Sequence, residues 1–163
     1  MLVIKDIHGN TLAEIEVPEE KIYDIHGKIA DIYPADRTFD LEILSKVNLR
    51  EADFRGWDLY LAAFENFDST NDDYIDLSFA NFEGADLKFA TFYRCNLKGA
   101  NFRNADMSDA KLCDCDVEGA DFSGADLHNA EIDSSVYIEE DAITDDYTIM
   151  PDINGSSFTP VVC

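Results

Sequence analysis

The sequence predicts an all-β solenoid, a square coil whose stacked turns bury one continuous core. From residue 75 the chain reads IDLSF ANFEG ADLKF ATFYR CNLKG ANFRN ADMSD AKLCD CDVEG ADFSG ADLHN AEIDS, and every fifth residue, Leu77 through Ile132, is apolar. Two places before each of these stands a smaller residue, alanine or cysteine in every block after Ile75. A period of five fits neither a helix nor a strand, because five helical steps leave one face and five strand steps invert the side chain. The backbone must therefore turn a corner in each block. Within a block the small and the large residue are two apart, so in an extended segment both point inward while the other three face out. Stacking such coils buries a core that only neighbouring repeats complete.

Residues 1–46 lack the repeat and read as an N-terminal β-hairpin and capping region. The run IKDIHGNTLAEI, residues 4–15, contains Asp-x-His-Gly-Asn, which resembles the first metal-binding motif of calcineurin-like phosphoesterases. Two-metal hydrolysis needs further carboxylate, Asn and His ligands. The chain has three histidines, His8, His26 and His128, and no later block of that type. DIHG also occurs twice, at 6–9 and 24–27. A repeated turn explains this better than half a metal site, with Gly9 and Asn10 supplying positive φ. Neither enzyme chemistry nor a cofactor is expected.

The register extends backward through VNLREADFRGWDLYLAAF, with Leu49, Phe54, Leu59 and Phe64 as the large residues and Val47, Ala52, Trp57 and Ala62 as the small ones. From Phe64 to Leu77 is thirteen residues, either one step plus an eight-residue insertion or two steps plus three, and stacking selects the first. That choice stacks Val47, Ile75, Cys95 and Cys115 in one column and Phe54, Phe82, Phe102 and Phe122 in another. The insertion becomes a loop at 66–74. Trp57, misfit in an alanine column, is expected to cover the open end of the core. The stretch 134–163 reads as an acidic C-terminal cap and tail, with Tyr137, Ile138, Tyr147, Ile149 and Met150 as capping residues.

The pattern A(D/N)Lxx across 47–133 resembles the pentapeptide-repeat family. The resemblance implies a right-handed quadrilateral parallel β-helix, here of about four coils. Cys95 and Cys115 then stack in one inner column and read as buried free thiols. Cys113 falls on an outward position, and the spacing of the four cysteines suggests neither zinc nor a disulfide framework.

Function has to come from the surface. The formal charge is −23, from 35 acidic and 12 basic residues, which argues against direct binding of nucleic acid or an anionic membrane. Partners should be basic protein surfaces. With no signal peptide or spanning segment, the expected address is the cytoplasm. After Lys111 there is no Lys or Arg in 52 residues, against thirteen acids. In the assigned register Asp86, Asp106 and Asp126 form an outward column of like charges about 4.8 Å apart. With Asp109, Asp114, Asp116, Glu118, Asp121, Glu131 and Asp133 they make the candidate acidic face. Asp68, Asn71, Asp72 and Asp73 of the loop are the second candidate surface.

Such spacing resembles a phosphate backbone. Some pentapeptide-repeat proteins, the Qnr-type quinolone-resistance proteins and related gyrase-binding members, imitate duplex DNA and bind type II topoisomerases. The resemblance therefore implies a non-enzymatic DNA mimic that binds a DNA-binding protein, with DNA gyrase as one named target. This chain departs from those members in coil number, in its N-terminal region and in lacking a clear C-terminal dimerisation helix, although homodimerisation stays open. The alternative is a scaffolding module that binds protein without mimicry.

Overall fold

A computed structural model of the chain describes residues 2–15, 49–65 and 74–151. Strand β1, Leu2–Lys5, pairs antiparallel with β2, Thr11–Ile15. The DIHGN run is the turn between them. The Asp6 carboxylate accepts the amides of His8 and Asn10 and the side-chain amide of Asn10, at 2.7–2.9 Å. Gly9 has φ 86, a conformation in which a side chain is strained. Asn10 departs from the expectation: it does not share the positive φ and instead ties the turn through its side chain. The second DIHG lies outside the described residues. The hairpin docks on the first coil, where Lys5 and Glu51 carbonyls accept the amides of Asp53 and Ile7 at 2.7 and 2.8 Å. Ile4 is fully buried there.

The coils stack through short parallel rungs. Strands β3 (Ala63–Glu65), β5 (Thr91–Tyr93), β7 (Lys111–Cys113) and β8 (Glu131–Ile132) form one sheet in that order. A second pairs β4 (Ile75–Asp76) with β6 (Cys95–Asn96). Thr91 pairs with Lys111 and Lys111 with Glu131, a step of twenty residues, whereas Ala63 pairs with Thr91 across twenty-eight. The difference is the eight-residue insertion expected between Phe64 and Leu77. Most of that insertion, 66–73, lies outside the described residues.

The sequence pattern dictates each corner. At the corners that end in alanine the large residue's carbonyl accepts the amide three residues on, as in Ala85 to Phe82 at 2.9 Å, and the residue at the third place has positive φ. These are type II turns, which favour Gly there, as at Gly84 and Gly99. The Asp or Asn before the large residue accepts the amide two residues on, for example Ser108 to Asp106 and Glu83 to Asn81. The second letter of the repeat is thus a turn former.

Inside, the phenylalanines stack as the register required. Ring centroids of Phe54, Phe82, Phe102 and Phe122 lie 5.0, 4.9 and 4.8 Å apart, near parallel, and Phe64 stacks on Phe92 at 4.9 Å. Rings of adjacent columns meet edge to face at 5.9 Å. Each such pair adds about 0.5–1.5 kcal/mol beyond burial. Trp57 is half-buried against the core, its ring edge to face with Phe54 at 5.1 Å. Cys95 and Cys115 are buried free thiols, donating to the Phe64 and Cys113 carbonyls at 3.2 Å. Cys113 departs from the sequence reading: it is buried and disulfide-bonded.

After Ile132 the repeat ends, yet the ladder continues. Ile143 pairs with Asp121 and Ile149 with Asp126 in parallel, following a single helical turn α1, Ile138–Asp141. Val136 and Ile138 are buried, and Ala142 and Met150 pack against the core. Tyr137, Tyr147 and Ile149, expected as capping residues, are instead at least half exposed. The reason is that the last coil is closed mainly by backbone pairing, so few side chains have to turn inward.

Candidate functional site

One outward column is acidic on four successive rungs and ends at Ile149, which pairs with Asp126. Asp58 pairs with Asp86, Asp86 with Asp106 and Asp106 with Asp126, all in parallel. Asp58 was not singled out from the sequence. The signal was the twenty-eight-residue step across the insertion, which puts it one coil below Asp86. In two of the other columns asparagine breaks the run. There Asn96 donates to Asp76 at 3.3 Å and Asn101 to Asn81 at 3.1 Å, exchanging repulsion for hydrogen bonds.

The aspartates carry two jobs. One oxygen of Asp86, Asp106 and Asp126 accepts the amide of Lys88, Ser108 or His128 respectively, which fixes the corner. The second oxygen is left to act on its surroundings. Lys88 Nζ lies 2.7 Å from Asp106 Oδ2 and 3.9 Å from Asp86 Oδ2. These partners raise the Lys88 pKa, the Asp106 hydrogen bond most. Partial burial works to raise the Asp106 pKa, but the Lys88 and Ser108 hydrogen bonds outweigh it and hold Asp106 below its ordinary value. Lys88 thus sets one ammonium against two of the column's carboxylates, Asp86 and Asp106. A rung spacing of about 4.8 Å compares with about 3.4 Å per phosphate along one DNA strand.

The other expected acids are distributed around the coil. Asp109 sits at the next corner of the same face, with φ 58. Asp116 and Glu118 flank Lys98 at 3.2 and 2.8 Å, Asp121 meets Arg103 at 3.0 Å, and Glu131 meets Lys111 at 2.7 Å. Asp114 accepts from Tyr74 at 3.1 Å and lies 3.6 Å from Arg94 Nε. Asp133 caps the amide of Ser135. Exposed ion pairs of this kind contribute little stability, about 0–1 kcal/mol each, but they neutralise much of those columns. Asp114, Asp116 and Glu118, with Tyr74 and Tyr137, line a cavity of about 650 Å³. The loop candidates Asp68, Asn71, Asp72 and Asp73 lie outside the described residues.

The DIHGN aspartate is spent on its own turn, and His8 points to solvent 3.8 Å from Glu51. Among the described residues no group of three or more His, Cys, Asp or Glu could hold a metal ion. No helix among them is long and apolar enough to cross a membrane.

Short parallel rungs at a twenty-residue step, lengthened once to twenty-eight, with one small and one large inward residue per block, define a β-helical repeat protein. The repeats match the pentapeptide-repeat model in eight copies, over residues 74–109 and 105–135, so this stretch carries pentapeptide repeats, and pentapeptide-repeat proteins fold as β-helices. The chain is similar to the crystal structure of a pentapeptide repeat protein from Nostoc PCC 7120, with 26% identity and a TM-score of 0.50 over 71% of this chain and 84% of that one. A pentapeptide repeat protein of the Arabidopsis thaliana thylakoid lumen matches at 28% identity, a TM-score of 0.39 and coverage of 65% and 68%. QnrB1, a plasmid-mediated fluoroquinolone resistance protein, matches at 17% identity, a TM-score of 0.28 and coverage of 58% and 78%. No curated protein matched the sequence. Proteins of this family are generally structural or binding proteins.

Proposed function

We propose that this protein is a non-enzymatic, cytoplasmic binding protein whose acidic solenoid mimics duplex DNA toward the basic surface of a DNA-binding protein. Type II topoisomerases, DNA gyrase among them, are the class to test first. The carrying observation is the Asp58, Asp86, Asp106 and Asp126 column, which repeats negative charge at regular short spacing along the coil axis. We take the solenoid as right-handed and quadrilateral, about four coils over 47–133. In this reading residues 1–46 and 134–163 close its ends, and the 66–74 loop is a second contact surface. A partner that neutralises phosphates with Lys and Arg would bind the column through the same cationic side chains. The experiment is competition between the protein and duplex DNA for gyrase across a salt series. Mutual exclusion with steep salt dependence supports mimicry; simultaneous binding of both excludes it for that target.

A second reading, a scaffold that binds protein without mimicry, is favoured by the exposed rings of Tyr60, Phe79 and Phe89. Binding that is insensitive to salt would select it.

A further inference from the structure

Phe79 and Phe89 occupy the same place in two corners of one coil, each third in its turn, with φ 60 and 57. A bulky residue is strained in this left-handed conformation, and Gly84 between them shows the relaxed choice. Both rings are also exposed, at 47% and 44%. The sequence therefore keeps two aromatic rings where backbone and solvent both disfavour them, and such strain gathers at binding sites.

The first ring shows what this corner can hold. The Arg50 guanidinium, one coil below, stacks over Phe79 at 4.7 Å from the ring centroid. Elsewhere Arg94 stacks on Tyr74 at 5.6 Å while its Nε lies 3.6 Å from the Asp114 carboxylate. The residue that stands to Phe89 as Arg50 stands to Phe79 is Tyr60, because the Glu51 amide meets the Ser78 carbonyl just as the Leu61 amide meets the Lys88 carbonyl. Tyr60 is a second aromatic, edge-on to Phe89 at 5.6 Å and 40% exposed. Among the described residues no arginine or lysine stacks on either ring. Carboxylates frame the pair: Asp86 opens the corner that Phe89 completes, and Asp109 holds the equivalent corner position one coil on.

We infer that Tyr60 and Phe89, with Asp86 and Asp109, form a seat for an arginine side chain presented by the basic surface of the protein partner. This rests on the proposed function for the partner's charge and adds the residue type it must present. A guanidinium stacks flat on an aromatic face and offers its edge to a carboxylate, whereas a lysine ammonium is a compact, strongly hydrated charge that gains less from both. The seat therefore makes the acidic column discriminate between cations, which charge alone does not.

The test measures binding of fluorescent nona-arginine and nona-lysine peptides to the full chain at physiological ionic strength. Wild type is expected to prefer nona-arginine, and Tyr60→Ala with Phe89→Gly should reduce that preference by about two- to fivefold with an unchanged salt slope. Asp86→Asn with Asp106→Asn should instead lower the salt slope for both peptides. Phe89→Gly suits the backbone, and Phe89→Leu, which Leu61 shows to fit such a corner at φ 61, removes the ring while keeping an apolar side chain if the glycine variant fails to fold. Equal affinity of wild type for both peptides, or a preference that survives loss of both rings, overturns the seat. Failure of DNA competition with the arginine preference intact overturns mimicry and leaves the seat standing.

Discussion

Asp86 and Asp106 are register partners on adjacent coils, and both draw on Lys88, whose ammonium lies 3.9 Å from one carboxylate and 2.7 Å from the other. Without that lysine Asp86 and Asp106 would lose the ammonium they share. Lys88→Gln should therefore leave stability nearly unchanged, because the groups are solvent-exposed. It should also steepen the salt dependence of binding to any basic partner. Titration calorimetry across a salt series measures the second effect, and an unchanged or shallower slope contradicts the column's role.

The double duty of the aspartates separates shape from charge. Asp106→Asn keeps an oxygen to accept the Ser108 amide, so with Asp126→Asn it should leave the melting temperature nearly unchanged while weakening partner binding. Asp106→Ala removes the turn's acceptor and should cost about 0.5–1.5 kcal/mol. Equal denaturation midpoints for the Asn and Ala variants would show that the carboxylate is only a surface charge.

Inward and outward positions should respond differently. Ala105 is 1% exposed, so Ala105→Asp buries an unpaired charge in a closed column and should cost more than about 4 kcal/mol, enough to unfold the coil. Asp109→Gly relaxes φ 58 and should be neutral or slightly stabilising. Circular dichroism melts that rank these two the other way round refute the register.

Two corner glycines differ in surroundings. At Gly84 an added Cβ meets nothing within 4 Å, so Gly84→Ala should lose only the left-handed backbone preference, about 1 kcal/mol. At Gly99 the same atom would lie 2.7 Å from the Phe79 ring, and Gly99→Ala should cost more. In addition it should disturb the Arg50–Phe79 stack. Phe79→Ala in the Gly99→Ala background should recover part of the excess; no recovery places the strain in the backbone alone.

The C-terminal cap should carry a pH signature. Asp145 accepts the amides of Gly124 and Tyr147 at 2.9 and 3.0 Å and the Thr148 hydroxyl at 3.1 Å. The Gly124 bond is the largest influence holding its pKa below the ordinary value of 3.8. A carboxylate depressed in the folded state contributes stability that is full above its unfolded pKa and lost as pH falls through the folded one. Amide exchange at Gly124 should therefore be protected at neutral pH and accelerate, relative to intrinsic rates, below pH 3.8. Asp145→Ala should remove that step; a step that persists in the variant assigns it elsewhere.

A period of five fixed much of this protein before any coordinates. An inward residue every fifth place can be buried only by a chain that turns a corner in each block, so the solenoid, the phenylalanine columns and the length of the insertion follow from spacing alone. The turn role of DIHGN was equally visible from Gly9 at the bend, whereas the Asp6 carboxylate that accepts the turn's amides was not. Tertiary structure decided what depends on which side chains meet across coils. Only stacking shows that Asp58 completes the aspartate column and that Lys88 quenches part of it. It also shows that Asp116, Asp121 and Glu131, close in sequence, are neutralised by cations on earlier coils. The same holds for Tyr60 and Phe89, twenty-nine residues apart and in contact because one coil is lengthened by an insertion. Local spacing sets which way a side chain points, but the vertical neighbour is set by the total length of each coil, and that neighbour determines the surface.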